Sequence, residues 1–334
     1  PSYDESQNAY PIRISVKEGT DMTSLAPIFE LTPGATISPA SGSVQNFTTP
    51  VRYTVTSEDK AWHRVYAITA REQKASNIPT TYHFEKVRIM QNVWQEFYEE
   101  QDSGNELTWA SGNKGFKWAM SEAATEDYPT TQIDNGKTGK CVKLETRLTG
   151  DLGNMVGMPI AAGNLFIGSF DMLNAITNPL SATRFGTPFY NKPLRLTGYY
   201  KYKAGEQFYE NGEYTSRKDI FNIYAIFYDG VKYDSAGKGT DVTLDGNLPN
   251  QNYEHSSMVA LALVSNPQET EGDEWKFFDI PFDYQRYGKK IDEARLAKGE
   301  YKIGIIFASS KDGATFEGAP GSTLLIDEVE LIYE

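Results

Sequence analysis

The chain is short of the residues that most enzymatic metal and nucleophile chemistry needs. It has a single cysteine, Cys141, so it can form no intramolecular disulfide and no multi-cysteine zinc or iron–sulfur site. Its three histidines, His63, His83 and His255, lie far apart with none of the spacings that favour zinc. Gly-x-Ser-x-Gly and phosphate-cradling glycine loops are missing, which leaves acyl and phosphoryl transfer without support. No apolar run approaches the length of a membrane-spanning helix, and the opening Pro1-Ser2-Tyr3-Asp4-Glu5 is polar rather than a basic and apolar leader. Positive charge is scarce too. With 32 basic against 45 acidic residues the formal charge is −13, and that field repels phosphate backbones and anionic lipid. Nucleic acid is thereby excluded as a partner.

What the chain has is length, rings and turns. Its 334 residues suit two domains, and 21 Tyr, 17 Phe and 5 Trp beside 28 Gly and 16 Pro suit many short strands joined by turns. An all-β fold is expected. Candidate strands Ile12–Val16, Ile28–Leu31, Val51–Thr56 and Val65–Thr69 make a small N-terminal β-sandwich, with Val51, Tyr53 and Val55 facing its core. The polar connector Glu72–Pro79 separates it from the rest, giving domains 1–75 and 76–334. In the second domain strands are expected at Val142–Thr146, Asn164–Phe170, Leu194–Lys203, Ile220–Asp229, Val259–Val264, Trp275–Phe282, Tyr301–Ser309 and Leu324–Tyr333. Only Val87–Glu100 and Ile291–Ala297 could hold a turn or two of helix. Two packed antiparallel sheets follow, as a larger β-sandwich of the jelly-roll kind.

Strand alternation assigns faces. In Ile220–Asp229, Phe221, Ile223, Ala225 and Phe227 form the core side, leaving Asn222, Tyr224, Ile226 and Tyr228 outward. In Leu194–Lys203, Leu194 and Leu196 set the core side and Lys201 points out, unless a bulge at Gly198 swaps the register. Outward rings with Asn and Lys beside them suit a sugar, whose C–H faces stack and whose hydroxyls pair; long covering loops would explain the same pattern. Between Trp109 and Trp118, Gly112-Asn113-Lys114-Gly115 reads as a turn that lets a ligand approach the backbone, or as part of a loop plugging the sandwich end. The candidate sugar contacts are Trp109, Asn113, Trp118, Asn164, Lys201, Tyr224 and Tyr228.

In the last strand, alternation puts Asp327 beside Leu325, Val329, Leu331 and Tyr333, and a carboxylate among apolar groups needs donors, a base or a cation. The opening Phe84-Glu85, Gly139-Lys140-Cys141-Val142-Lys143-Leu144 and the closing Ile326-Asp327-Glu328-Val329-Glu330-Leu331 resemble jelly-roll carbohydrate-binding modules, in which acids near adjacent first and last strands often hold a structural calcium. That resemblance implies Glu85 and Asp327 as oxygen ligands. A salt bridge or turn hydrogen bonds would satisfy Asp327 equally.

Longer runs resemble one family more closely. Tyr128-Pro129-Thr130, Ala161-Ala162-Gly163-Asn164-Leu165-Phe166-Ile167-Gly168-Ser169-Phe170, Phe185-Gly186-x-Pro188-Phe189, Leu196-Thr197-Gly198-Tyr199-Tyr200-Lys201-Tyr202 and Phe316-Glu317-Gly318-Ala319-x-Gly321-Ser322-Thr323-Leu324 resemble the putative carbohydrate metabolism domain family. Thr36–Gly42 and Pro50–Asp59 resemble the immunoglobulin-like modules of secreted glycan-utilisation proteins. These resemblances imply an immunoglobulin-like module before a jelly roll, on an exported protein of a glycan-degrading bacterium, with no catalytic residue to inherit.

A jelly-roll glycosidase displays a carboxylate pair on a sheet face, and no such pair is visible; Asp219 and Asp229, at the two ends of one strand, read as solvated strand-end acids. The expectation is therefore a monomeric, extracytoplasmic protein that binds an oligo- or polysaccharide, its export signal or lipid anchor lying outside this chain. It needs no cofactor beyond a structural calcium. Glycoside hydrolase and structural or adhesion surface protein are the alternatives.

Overall fold

Alternating apolar residues in Val51–Thr56 and His63–Gln73 make the sheet of the first unit, where Phe47, Tyr53, Ile68 and Ala70 are buried together. The computed structural model describes residues 3–73, 75–101 and 104–334. Pro1 and Ser2 of the opening segment and Lys74 of the connector lie outside the described residues. The chain divides into two compact units, Pro1–Ala75 together with Glu334, and Ser76–Tyr333. In the first, strand Tyr10–Lys17 pairs in parallel with His63–Gln73, which pairs with Val51–Thr56 and through it with Thr36–Ser38. Ile28–Leu31, expected as a strand, is irregular. Pro27 and Pro33 bracket it, and neither can donate to a ladder. Its Phe29 still packs on Tyr53, ring centroids 4.8 Å apart.

The second unit is built on two large antiparallel sheets, with smaller ones around them. One runs Lys276–Pro281, Pro193–Lys203, Thr323–Tyr333, Lys140–Glu145, Thr130–Asp134, with Thr81–Tyr82 also paired to the last strand. The other runs Asn164–Phe166, Tyr301–Ala308, Asn222–Asp229, Met258–Leu263. Between them lies the main core, which takes Phe221, Ile223, Ala225 and Phe227 from one sheet and Leu196, Tyr200, Tyr202, Val329 and Leu331 from the other. Tyr200 and Tyr202 thus face inward, and the Pro193–Lys203 strand keeps its alternation through Gly198. No helix among the described residues is long and apolar enough to cross a membrane.

The bulge lies on the partner strand. Gly198 alone faces Glu328 and Val329, because Thr197 pairs with Glu330 and Tyr199 with Asp327, and Glu328 takes φ 48°. The extra residue flips the register. Leu325 and Asp327 point away from the core while Val329 and Leu331 point into it, so Asp327 does not share a face with the latter pair, contrary to the alternation reading. Asp327 is nonetheless 0% exposed. The loop Gly136–Lys140 closes over it: Thr138 N donates to Oδ2 at 3.0 Å and Glu328 N to Oδ1 at 2.8 Å. Glycine is required there. A Cβ at Gly136 would lie 2.7 Å from Asp327 Oδ2, and Gly139 holds φ +62° with its Cβ position 2.1 Å from Glu85 Oε1.

Two other segments depart from their sequence reading. Val87–Glu100 is a hairpin of Val87–Met90 and Trp94–Glu100, turned at Gln91 and Asn92 with positive φ, rather than a helix. The turn expected at Gly112–Gly115 instead opens helix Asn113–Ala119. Asp219 is not a solvated strand-end acid either. It is buried, and it ties the start of strand Asn222–Asp229 to the segment 309–322 by accepting from Ser310 Oγ (2.6 Å), Ser322 Oγ (2.7 Å), Ala319 N (2.8 Å) and Ile220 N (2.9 Å).

Two stability measurements check this picture. Asp219→Ala strands several buried donors, each costing about 1–3 kcal/mol, so denaturant unfolding should show a loss of at least about 3 kcal/mol; a loss under about 1 would refute the tie. Burial pushes the Asp327 carboxyl up to about 6, against the N–H bonds that pull it down. The folded state therefore holds its proton more tightly than the unfolded chain, and the stability this group contributes in acid is lost as pH rises from about 4 to about 6. The stability of wild type minus that of Asp327→Asn should fall by about 1–3 kcal/mol across that window.

Candidate functional site

Because the Asn222–Asp229 strand is apolar on both faces, its outer side has to be covered. Tyr224, Ile226 and Tyr228 join Phe166, Phe185, Leu244, Tyr253, Met258, Leu261 and Ile306 in a second buried cluster. The cover is a small sheet of Gly168–Phe170, Thr183–Phe185 and Leu244–Asp245, together with the turn Pro249–Gln251. Tyr228 Oη donates to Phe185 O at 2.7 Å and fastens that layer to the sheet; Asn222 and Tyr253 exchange hydrogen bonds beside it. The open aromatic face considered from the sequence is therefore covered by loops.

The cover is incomplete where helix Asn113–Ala119 meets it. Asn113, fully buried, holds the helix start: its amide donates to Thr130 O (2.7 Å) and its carbonyl accepts from Thr130 N (3.1 Å). Asn164 Oδ1 accepts from Gly112 N at 2.7 Å. Asp171 caps the helix Met172–Thr177 by accepting from Leu173 N and Asn174 N. Between these helices and the sheet lies a cavity of about 160 Å³. Phe166, Tyr224 and Ile306 form its buried base, while Trp118, at 38% exposure, Val156 and Lys311 mark its open side.

Of the seven sugar contacts expected from sequence, three line this cavity: Trp118, Asn164 and Tyr224. Asn113 stands behind it as the helix anchor. The other three lie elsewhere. Trp109 is sealed in the main core against Tyr82 (5.0 Å), Phe84 (5.7 Å) and Phe307 (5.9 Å), so the two indoles do not converge. Tyr228 spends its hydroxyl on Phe185 and does not reach the void. Lys201 stands on the outer face of the opposite sheet, 2.5 Å from Asp273 and over the Trp275 ring at 5.0 Å. The sequence reading missed Phe116, Phe170, Met172 and Phe316, which also line the cavity. Reading 113–119 as a helix would have found Phe116, since Asn113 and Phe116 share a face three residues apart.

Acids are absent from this wall: among the described residues no Asp, Glu or His lines the cavity. Asp219 is consumed by its four donors, and Asp229 is gripped bidentately by Arg295 at 2.7 and 2.6 Å. Cys141 is no nucleophile. Burial, with the Asp327 carboxyl beside it, pushes its thiol up to about 12.

Glu85 and Asp327 do come together, each accepting an N–H from the loop 136–140: Lys140 N reaches Glu85 Oε1 at 2.7 Å and Thr138 N reaches Asp327 Oδ2. That surrounding does not fit a calcium ion. Both Asp327 oxygens meet backbone N–H donors, whose positive ends oppose a cation, and Glu85 is exposed. Among the described residues no group of three or more His, Cys, Asp or Glu gathers to hold a metal.

The comparisons with known proteins agree with a glycan setting. Residues 4–70 match a family described as SGBP, N-terminal, and residues 83–332 match the putative carbohydrate metabolism domain. A solved structure described as a putative glycoside hydrolase from Bacteroides thetaiotaomicron is 46% identical over 97% of this chain and 91% of its own, with a TM-score of 0.69. A second, described as a putative glycoside hydrolase from Bacteroides vulgatus, is 50% identical over 78% of this chain and 100% of its own, with a TM-score of 0.72. No curated protein matches. The match over 83–332 spans most of the chain, which therefore belongs to the putative carbohydrate metabolism domain family.

Proposed function

We propose that the protein binds a glycan, outside the cytoplasm, in the cavity between Trp118 and Tyr224. One observation carries this reading: an aromatic-walled void opens beside an exposed indole, and no carboxylate lines it among the described residues. Rings offer C–H stacking to a sugar, and a glycosidase would need two carboxyls flanking the scissile bond. The family match over 83–332 and the SGBP match over 4–70 support the glycan and the location. Tyr224 supplies the polar contact and Trp118 the stack, while Asn164, bonded to Gly112 N, shapes the wall. Trp109, Asn113 and Tyr228 act through the scaffold.

A hydrolase reading draws on how the two solved relatives are described. Glu122, Asp127 and Glu145 line a neighbouring cleft that shares Phe116 and Ala119 with the cavity. All three are engaged: Glu145 pairs with Lys143 (3.0 Å) and Arg147 (3.1 Å), Asp127 accepts from Ala124 N at 3.3 Å, and Glu122 accepts from Ser121 Oγ at 3.2 Å. Binding is the reading favoured by that engagement.

On a glycan panel, Trp118→Ala should weaken the best ligand by about 1–3 kcal/mol with unfolding unchanged, and no reducing ends should appear above background. Release of reducing sugar that Glu145→Gln abolishes would transfer the case to hydrolysis. The Glu85–Asp327 pair serves, on this reading, as a hydrogen-bonded loop anchor without calcium. Chelator treatment should leave the melting temperature within error, and a drop reversed by added calcium would refute that.

A further inference from the structure

The cavity is large for a void and small for a binding groove. At about 160 Å³ it is close to the roughly 150 Å³ apolar cavity that takes a single benzene ring. One six-membered ring fills it. A chain lying lengthwise does not fit, so the ligand enters by a terminal ring or a ring-sized substituent, past Trp118 on the open side.

The wall then restricts what that ring can carry. Phe116, Phe166, Phe170, Phe185, Ile306 and Phe316 present apolar surface. Most of the polar side chains among them are already engaged within the protein. Asn164 accepts from Gly112, Asn222 trades hydrogen bonds with Tyr253, Ser310 binds Asp219 and Thr146, and Thr149 donates to Met158 O. The exception at the base is Tyr224. It is 2% exposed, and its hydroxyl has no hydrogen-bond partner among the described residues, while the equivalent hydroxyl of Tyr228 is bonded to Phe185. Unlike the sealed, unbonded hydroxyls of Tyr82 and Tyr202, that of Tyr224 borders the cavity, where one ligand group can bond it. Thr183 at the wall also makes no side-chain bond among the described residues, and Lys311 stands at the solvent side.

A fully hydroxylated hexose pushed wholly into the cavity would bring more hydroxyls than these groups can meet, and each one buried unpaired weakens binding. From the geometry we infer that the cavity takes the apolar C5–C6 edge of a ring at the end of a glycan, best supplied by the methyl group of a 6-deoxyhexose, with one hydroxyl bonded to the hydroxyl of Tyr224 and the others turned to the open side. This rests on the glycan reading above and narrows it to a ligand class.

Matched pairs test it by calorimetry on the whole chain: L-fucose against L-galactose, and L-rhamnose against L-mannose, with p-cresol as a sugar-free ring. At least one 6-deoxy sugar should bind roughly three- to tenfold tighter than its hydroxylated parent. Tyr224→Phe, which removes only an unbonded hydroxyl and keeps the ring, should cancel roughly three- to tenfold of affinity without lowering stability. Tyr228→Phe should do the reverse, lowering stability and sparing affinity. Parent hexoses that bind as tightly as the deoxy sugars, or an affinity indifferent to Tyr224→Phe, would overturn the inference. If p-cresol binds through Tyr224 while no sugar does, the ring-sized site stands and the glycan reading falls. If none of the five binds, both fall.

Discussion

The structure of the second unit depends on one strand that is buried on both faces. Asn222–Asp229 gives Ile223, Ala225 and Phe227 to the space between the sheets and Tyr224, Ile226 and Tyr228 to the opposite side. A single sandwich covers only the first set. The second set forces a further layer, supplied by Gly168–Phe170, Thr183–Phe185, Leu244–Asp245 and the turn Pro249–Gln251. A cavity arises because this layer is irregular. Regular elements pack to crystal-like density, whereas loops pinned at a few points leave room between the pins.

Those pins are polar, with Asn113 and Asp219 buried, and they fix the shape of the void. Asn113 locks one helix to Thr130, Asn164 locks its first turn, Asp171 caps the helix Met172–Thr177, and Asp219 holds the segment 309–322 that brings Phe316 to the wall. Each replaces water with a specific partner, so alternative loop arrangements would strand a donor or acceptor. The resulting division of labour is clear: two amides and two carboxylates set geometry, and aromatic rings face the ligand.

Much of the framework was legible in the sequence. The two faces of the Asn222–Asp229 strand follow from alternation, and nearly every long strand of the second unit falls within two residues of its expected place. What failed did so for identifiable reasons. A bulge leaves no mark on a two-residue period, so Asp327 and Val329, which share parity, ended on opposite sides of the sheet. The helix Asn113–Ala119 is seven residues long, carries Gly115 inside it, and lacks a side-chain cap, so none of the usual helix signals appears. The hairpin at Gln91-Asn92 turns with positive φ but without glycine. Of the candidate site, Trp118, Asn164 and Tyr224 could be named in advance because each is a ring or amide on an outward position. Trp109 and Lys201 could not be eliminated, because which way an indole packs and which sheet a strand joins are tertiary facts.

The most direct measurement is a crystal structure of the protein with a bound oligosaccharide. The terminal ring should occupy the cavity, one polar group within hydrogen-bond distance of Tyr224 Oη and one face against the apolar wall. Density lying instead along Tyr199 and Phe277, rings 5.1 Å apart on the outer face of the opposite sheet, with the cavity beside Tyr224 vacant, would contradict it.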